Sequence, residues 1–194
     1  MSSPAFHDPP WGAPLDAAAV LADISDQAAI AAMYFLALSE GAKRRGVSVP
    51  GFRERYLPFS FYPVTEFAPL LVLAAERFYP ERSLRQGLRA IGKMGPSVFL
   101  ESTLGKVTLG STEGALAAIE AIAKTYSINS RPAQCTLRDV SDKSCVVGMS
   151  QVEYFLDSHH IGVFEGTLEY ARVAGRVRIA SRDAKSADLL LEWS

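Results

Sequence analysis

The spacing of apolar residues changes once along the chain, and that change limits the folds open to it. Up to about residue 126 the apolar positions recur at helical intervals; after it they fall into two strand pairs around one amphipathic segment. Helices followed by a ββαββ unit predict an α+β fold: an N-terminal helical layer and then a four-stranded antiparallel sheet.

The helical half is read as follows. Ser25 or Asp26 begins a helix in which Ala28, Ala29, Ala31, Ala32 and Ala37 supply propensity. Met33, Tyr34, Phe35, Leu36 and Leu38 give it bulk, and Gly41 and Gly46 end it. Thr65 is expected to cap a second helix, with Phe67, Leu70, Leu71, Ala74 and Phe78 at helical spacing. Pro69 falls near the end of its first turn. Ser83 caps a third, with Leu84, Leu88 and Ile91 inside and Arg82, Arg85 and Arg89 outside. Gly95-Pro96 is expected to break the chain, with a short helix at Phe99, Leu100 and Leu104. Thr112 precedes a further helix carrying Ala115, Leu116, Ile119, Ile122 and Ala123 and ending near Tyr126.

In the second half, 136–140 and 145–149 alternate as a hairpin around Ser-Asp-Lys-Ser. Residues 160–174 form an amphipathic helix with Ile161, Phe164, Leu168 and Ala171 on one face. Residues 176–182 and 187–193 make the second strand pair.

Pro4, Pro9, Pro10, Gly12 and Pro14 exclude a helix interior at the start of the chain. Residues 1–24 therefore read as an acidic arm and 25–194 as one domain. Charge sharpens this division. The net charge is −1, but the first 42 residues hold Asp8, Asp16, Asp23, Asp26 and Glu40 and no Lys or Arg. All 20 basic residues follow. The Pro-rich start reads as a mobile tail, with anchoring by Trp11 as the alternative, and the first 42 residues are expected to lie against the body near Lys43–Arg55 or Arg82–Arg89.

Several function classes are excluded. A near-neutral chain is not a globally basic nucleic-acid binder. The longest uncharged run, between Asp26 and Glu40, is too short to span a membrane. Cys135 and Cys145 lie several residues out of register in the hairpin and are expected to be reduced thiols; with no signal-peptide pattern, this points to the cytoplasm. Leu104-Gly105-Lys106-Val107-Thr108 lacks both the upstream Gly and the hydroxyl after Lys that a phosphate loop needs. Gly110-Ser111-Thr112-Glu113-Gly114 reads as ordinary capping. His159-His160 is expected to sit exposed at a helix start, without a third metal ligand. His7 is isolated, and Asp157 and Ser158 are only sequence neighbours of the pair. No Gly-x-Ser-x-Gly elbow occurs. No catalytic residue, metal or cofactor is assigned.

Two candidate sites remain. Phe59, Phe61, Tyr62, Phe99, Tyr126 and Met149 are candidates to line an apolar ligand pocket between helices and sheet. Lys43, Arg44, Arg45, Arg53 and Arg55 are candidates to bind an anion or a protein partner.

The run Phe61-Tyr62-Pro63 to Phe78, with Gly92, Gly105 and the terminal Leu189-Leu190-Leu191-Glu192-Trp193, resembles a myxobacterial family of paralogous proteins of unknown function. The order of elements is also distantly similar to haem–nitric oxide/oxygen-binding sensor domains and to four-vinyl-reductase-like ligand-binding domains. Where the sensor domains carry Tyr-x-Ser-x-Arg for the haem propionates, this chain has Met149-Ser150-Gln151-Val152-Glu153. Where they place the proximal histidine, it has Lys124-Thr125-Tyr126-Ser127-Ile128-Asn129. The resemblance implies a sensor fold that has lost haem binding of that kind. The function expected is a non-catalytic sensor or regulatory domain taking a small apolar ligand. The alternative is a protein-interaction or scaffold module with no small-molecule ligand, and a third reading is an enzyme built on His159, His160 and nearby acids. Oligomeric state stays open at this stage.

Overall fold

The computed structural model describes residues 5–101 and 114–194. The motifs at 104–108 and 110–113, the Thr112 cap and Leu104 lie outside the described residues. Among those described, six α-helices and two antiparallel sheets make an α+β fold.

The first helix, α1 (Ala17–Ala22), is capped by Asp16, whose carboxylate accepts from the Ala19 N–H at 2.9 Å. The alanine-rich stretch expected to be helical from Ser25 starts differently. Ala29–Ala31 is a short strand, β1, and α2 (Ala32–Arg44) follows it directly. Strand β1 lies between β2 (Phe61–Pro63) and β3 (Ser130–Arg131). Pairing on both edges outweighs the helix propensity of three residues. Helix α2 passes through Gly41 and stops in a Schellman motif: Gly46, at φ 64°, donates to the Lys43 carbonyl and Val47 to that of Ala42, both at 3.0 Å.

Helix α3 (Val64–Phe78) begins one residue before Thr65, straight out of β2, with Pro63 as its N-cap. Helix α4 (Leu84–Glu101) opens with a reciprocal capping box: Gln86 N–H donates to the Ser83 hydroxyl and Ser83 N–H to the Gln86 side chain, both at 3.3 Å. It does not break at Gly95-Pro96. Glycine before proline has no Cβ to meet the ring, so the cost is one ladder bond, not the helix. Helix α5 (Ala115–Asn129) leads into β3.

The main sheet comprises β4 (Gln134–Arg138), β5 (Ser144–Ser150), β6 (Gly175–Asp183) and β7 (Ser186–Trp193), in the order β4-β5-β7-β6. Between β5 and β6 the chain takes a π-helical turn, Leu156–His160, and continues as α6 (Ile161–Tyr170). Cys135 pairs across to Met149, four residues from Cys145, and both thiols are free.

Two hydrophobic cores result. One gathers Phe35, Tyr56, Tyr62 and Phe67 between α2 and α3, with the Phe35 and Tyr56 rings stacked 4.7 Å apart. The other packs α5 and α6 on the inner face of the sheet, with Cys145, Val147, Met149, Ile179, Leu189 and Leu191 all buried.

The two halves are joined where α4 crosses α6. A Cβ added to Gly92, Gly162 or Gly166 would overlap the carbonyl oxygen of His159, Arg89 or Lys93 respectively, so the backbones touch. Ion pairs flank the crossing: Arg89 grips Glu165 with two hydrogen bonds of 2.6 and 2.5 Å, and Lys93 holds Glu169 at 2.6 Å.

Arg85, expected outside with its helix neighbours, is only 6% exposed. It pairs with Asp157 and donates to the Ala13 and Pro14 carbonyls, each at 3.2 Å. The Arg89 guanidinium lies 4.0 Å over the Trp11 ring. Further out, His7 makes a two-bond antiparallel bridge to Ile179 on β6. The arm thus lies on the Arg85–Arg89 surface, as its charge suggested. The contacts there are backbone carbonyls and a ring; of the arm's carboxylates, Asp23 pairs elsewhere, with Lys185 at 3.3 Å.

Candidate functional site

A cavity of about 290 Å³ lies at the seam between the two cores. Ile30, Phe67, Leu71 and Ile91 face it from the helical core, and Phe99, Ile122 and Tyr126 from the sheet core. Leu36 and Val98 belong to its wall and are 46% and 45% exposed, which puts its mouth at the surface between α2 and α4. Among the described residues, no Lys, Arg, Asp or Glu lines it.

Its polar groups come mostly from the π-helical turn and from tyrosines. Phe155 enters the turn at φ 43°, a left-handed conformation that a bulky side chain rarely adopts. The extra residue in the turn brings both His159 and His160 to the cavity wall. The expectation of an exposed pair is therefore overturned: the close α4–α6 crossing covers the turn. His160 is 2% exposed, and the His159 Nδ1 is wholly shielded.

The Tyr126 hydroxyl and His160 Nδ1 are 2.7 Å apart. If the phenol donates, Nε2 carries the ring proton; if the ring donates, Nε2 is a bare lone pair. In both tautomers Nε2 has no hydrogen-bond partner among the described residues, and neither has His159 Nδ1. Burial, and for His160 its neighbour His159, depress both imidazoles: His159 to about 4 and His160 well below its ordinary value. The nearby backbone at Leu88 and Tyr154 opposes this only in part. Burial likewise raises the phenols of Tyr34, Tyr126 and Tyr154. At neutral pH the described wall of the cavity is uncharged.

The nearby acid and hydroxyl do not complete a catalytic set. Asp157 pairs with Arg85, and the buried Ser158 hydroxyl donates to the Phe155 carbonyl at 3.4 Å. No cluster of three metal-ligating side chains occurs among the described residues.

Of the six aromatic and Met candidates, Phe99 and Tyr126 line the cavity. Met149 is buried under the sheet. Tyr62 is in the helical core, its hydroxyl accepting from the Leu57 N–H at 2.8 Å. Phe61 lies beneath the Arg131 guanidinium at 4.2 Å, and Phe59 is 83% exposed. Phe61, Tyr62 and Met149 fall outside because β2 and β5 turn them into other contacts, and Phe59 because it sits in the turn before β2 at φ 63°. The five basic candidates do not form one site. Arg44 pairs with Glu40 and Arg53 with Glu66, Lys43 and Arg55 are exposed, and Arg45 packs on Phe78 and Tyr79. Missed from sequence were the two histidines, Tyr34, Tyr154 and Met33. The signal available was the apolar company of the pair, Tyr154-Phe155-Leu156 before it and Ile161 after.

Residues 24–194 match the model of a protein family of unknown function, DUF2378. The chain belongs to that family. No curated protein sequence matches it. Among solved structures it is similar to the Fe(II) unliganded H-NOX protein from K. algicida, with 12% identity, a TM-score of 0.61, and 85% of this chain and 97% of that one covered. It is also similar to an S. oneidensis H-NOX protein mutant in the Fe(II) state, with 11% identity, a TM-score of 0.63, and coverage of 84% and 95%. A point mutant of T. tengcongensis H-NOX aligns at 12% identity and a TM-score of 0.58, covering 84% and 94%. The DUF2378 chain therefore has an H-NOX-like fold. No described helix is long and apolar enough to cross a membrane.

Proposed function

We propose that this DUF2378 protein is a non-catalytic sensor domain that binds a small apolar ligand between its two cores. The observation that carries the reading is the uncharged cavity of about 290 Å³, near the lower end of the size of small-molecule sites. It opens to the surface and contains a few converging polar groups, the composition such sites share. Its position supports signalling. Both cores contribute walls, so filling it bears on the α4–α6 crossing that joins them.

The solved structures of similar fold include an Fe(II) H-NOX protein, and heme distortion is a subject of work on the H-NOX family. Haem held in the family's way does not fit the residues here. Met149 is buried in the sheet core and Gln151 is exposed. Glu153 accepts from the Ser25 N–H and from Lys185 Nζ, both at 2.8 Å. Among the described residues the cavity wall holds no cation, and Arg45 beside it offers one guanidinium for two propionates.

The test is native mass spectrometry of protein purified from its own host. A small apolar adduct at one per chain is expected, lost on denaturation and absent from Ala37→Phe, which fills the cavity wall. The visible spectrum should lack a haem band. A protein with no adduct that also takes up no apolar probe overturns the reading, and so does a stoichiometric haem.

A further inference from the structure

We propose that the ligand of this cavity is an amphiphile with a carboxylate head: its apolar chain lies between the cores and its carboxylate is held at the mouth by Arg45. This rests on the ligand reading above and narrows it to a chemical class.

The cavity does not accept a buried charge. With no charged group in its described wall, a carboxylate buried there would be stranded away from water without a counter-ion. An acid can enter only chain first, with its head left at the water-exposed rim. On the α2–α4 side, where the cavity opens, Arg45 stands against three residues of the lining. Arg45 caps the C-terminus of α2, and its guanidinium lies 4.9 Å from the centre of the Phe78 ring and 5.8 Å from that of Tyr79. Its Nη2 approaches Met94 Sδ at 2.9 Å, and Nη1 the Gly41 carbonyl at 3.4 Å. Gly41, Phe78 and Met94 all line the cavity.

The remaining partners of Arg45 are weak. A thioether, a phenol at 3.3 Å and a long carbonyl contact leave its planar donor fork without a carboxylate. Four arginines of the helical half differ, although Lys43, on the same helix, is like Arg45 without an ion pair among the described residues. Arg44, Arg53, Arg82 and Arg89 each have a carboxylate partner, Glu40, Glu66, Glu81 and Glu165. Arg45 has no ion pair among the described residues, although two aromatic rings fix its orientation. A guanidinium held in place, exposed and unneutralised beside an apolar opening has the geometry that recognises an acid head group.

Isothermal titration with decanoate and with decan-1-ol tests this on the full chain. The two share a chain and differ in the head. Wild type should bind decanoate at least about tenfold more tightly than decanol, the scale of one charge-assisted bidentate contact. Arg45→Ala should bring decanoate to the level of decanol while leaving decanol unchanged, Arg45→Lys should keep part of the preference, and Arg44→Ala should change neither. Ala37→Phe should abolish both. Equal binding of the two probes by wild type overturns the head-group assignment and leaves the cavity reading standing. Loss of decanol as well in Arg45→Ala makes the residue structural and overturns it too. Binding of neither probe removes the cavity reading itself. Sedimentation with phosphatidylglycerol vesicles separates the free acid from a membrane head group; association with vesicles and not with decanoate overturns the proposal.

Discussion

Two adjacent histidines held neutral inside a protein make its stability sensitive to acid. An unfolded histidine takes its proton at about pH 6.5. In the folded chain His159 does so only at about 4, and His160 well below its ordinary value. Between these limits the unfolded chain holds more protons, so acidification favours unfolding. No carboxylate among the described residues lines the cavity to compensate. The urea midpoint should therefore fall from about pH 6.5 toward about pH 4, with a slope of up to about 1.4 kcal/mol per pH unit per histidine, and should be insensitive to these groups above that window. The comparison that isolates them is a His159→Gln/His160→Gln variant, whose midpoint should vary less over the same range. Parallel curves for the two proteins would mean that carboxylates elsewhere dominate the acid response. The pair was illegible as a buried site for a simple reason. Nothing in the local sequence shows that another helix will cover it, and a π-helical turn has no spacing rule from which the direction of His159 and His160 could be read.

That covering is an event at the scale of elements, and three glycines permit it. Gly162 and Gly166 are four residues apart on α6 and press on the carbonyls of Arg89 and Lys93, themselves four apart on α4. One methyl group at Gly162 must push the helices apart, because the obstacle is backbone and cannot rotate away. Gly162→Ala should cost about 3 kcal/mol, the upper part of the usual range for overpacking, although alanine is the better helix former. Chemical denaturation measures it, and Gly41→Ala in α2, where the added carbon would meet only the Phe78 and Met94 side chains at 3.8 and 3.9 Å, is the control. An unchanged midpoint for Gly162→Ala would mean the crossing is looser than described. The same scale shows what single-sequence patterns carry. The alternation of Leu189 and Leu191 and the polar turns made β4 to β7 legible, because a sheet with one buried face writes its register into every second residue. Strands β1 to β3 were not legible, being two or three residues long and paired only through distant segments. Pro96 misled in the other direction, since a lost backbone bond inside α4 is offset by packing at positions such as Leu88 and Ile91.

At the scale of the molecule, the uneven charge of the chain has a structural counterpart in which charge pairing is the smaller part: among the described residues the arm makes one ion pair, Asp23 with Lys185 at 3.3 Å. Acidic residues dominate the first 42 positions, yet the arm is held by the Ala13 and Pro14 carbonyls on Arg85, by Trp11 under Arg89 and by the His7 bridge to β6. Arg85 is the pivot. It is buried, it also neutralises Asp157 in the turn that carries the histidines, and removing the arm would leave it short of two acceptors. Hydrogen bonds to a charged group contribute about 1.5–3 kcal/mol each, and an exposed cation–π contact about 0.5–1 kcal/mol. Deleting residues 1–14 should thus lower stability by about 3 kcal/mol, less than those contacts sum to because water replaces part of them. The fold should survive, since the family match begins at residue 24. The cavity should also survive, since none of the deleted residues lines it. The measurement pairs a thermal melt with decanol titration of the truncated protein. A lower melting temperature with unchanged affinity places the arm in stability alone, whereas a fall in affinity at full folding would show that tension on Arg85 and Asp157 reaches the cavity through the π-helical turn.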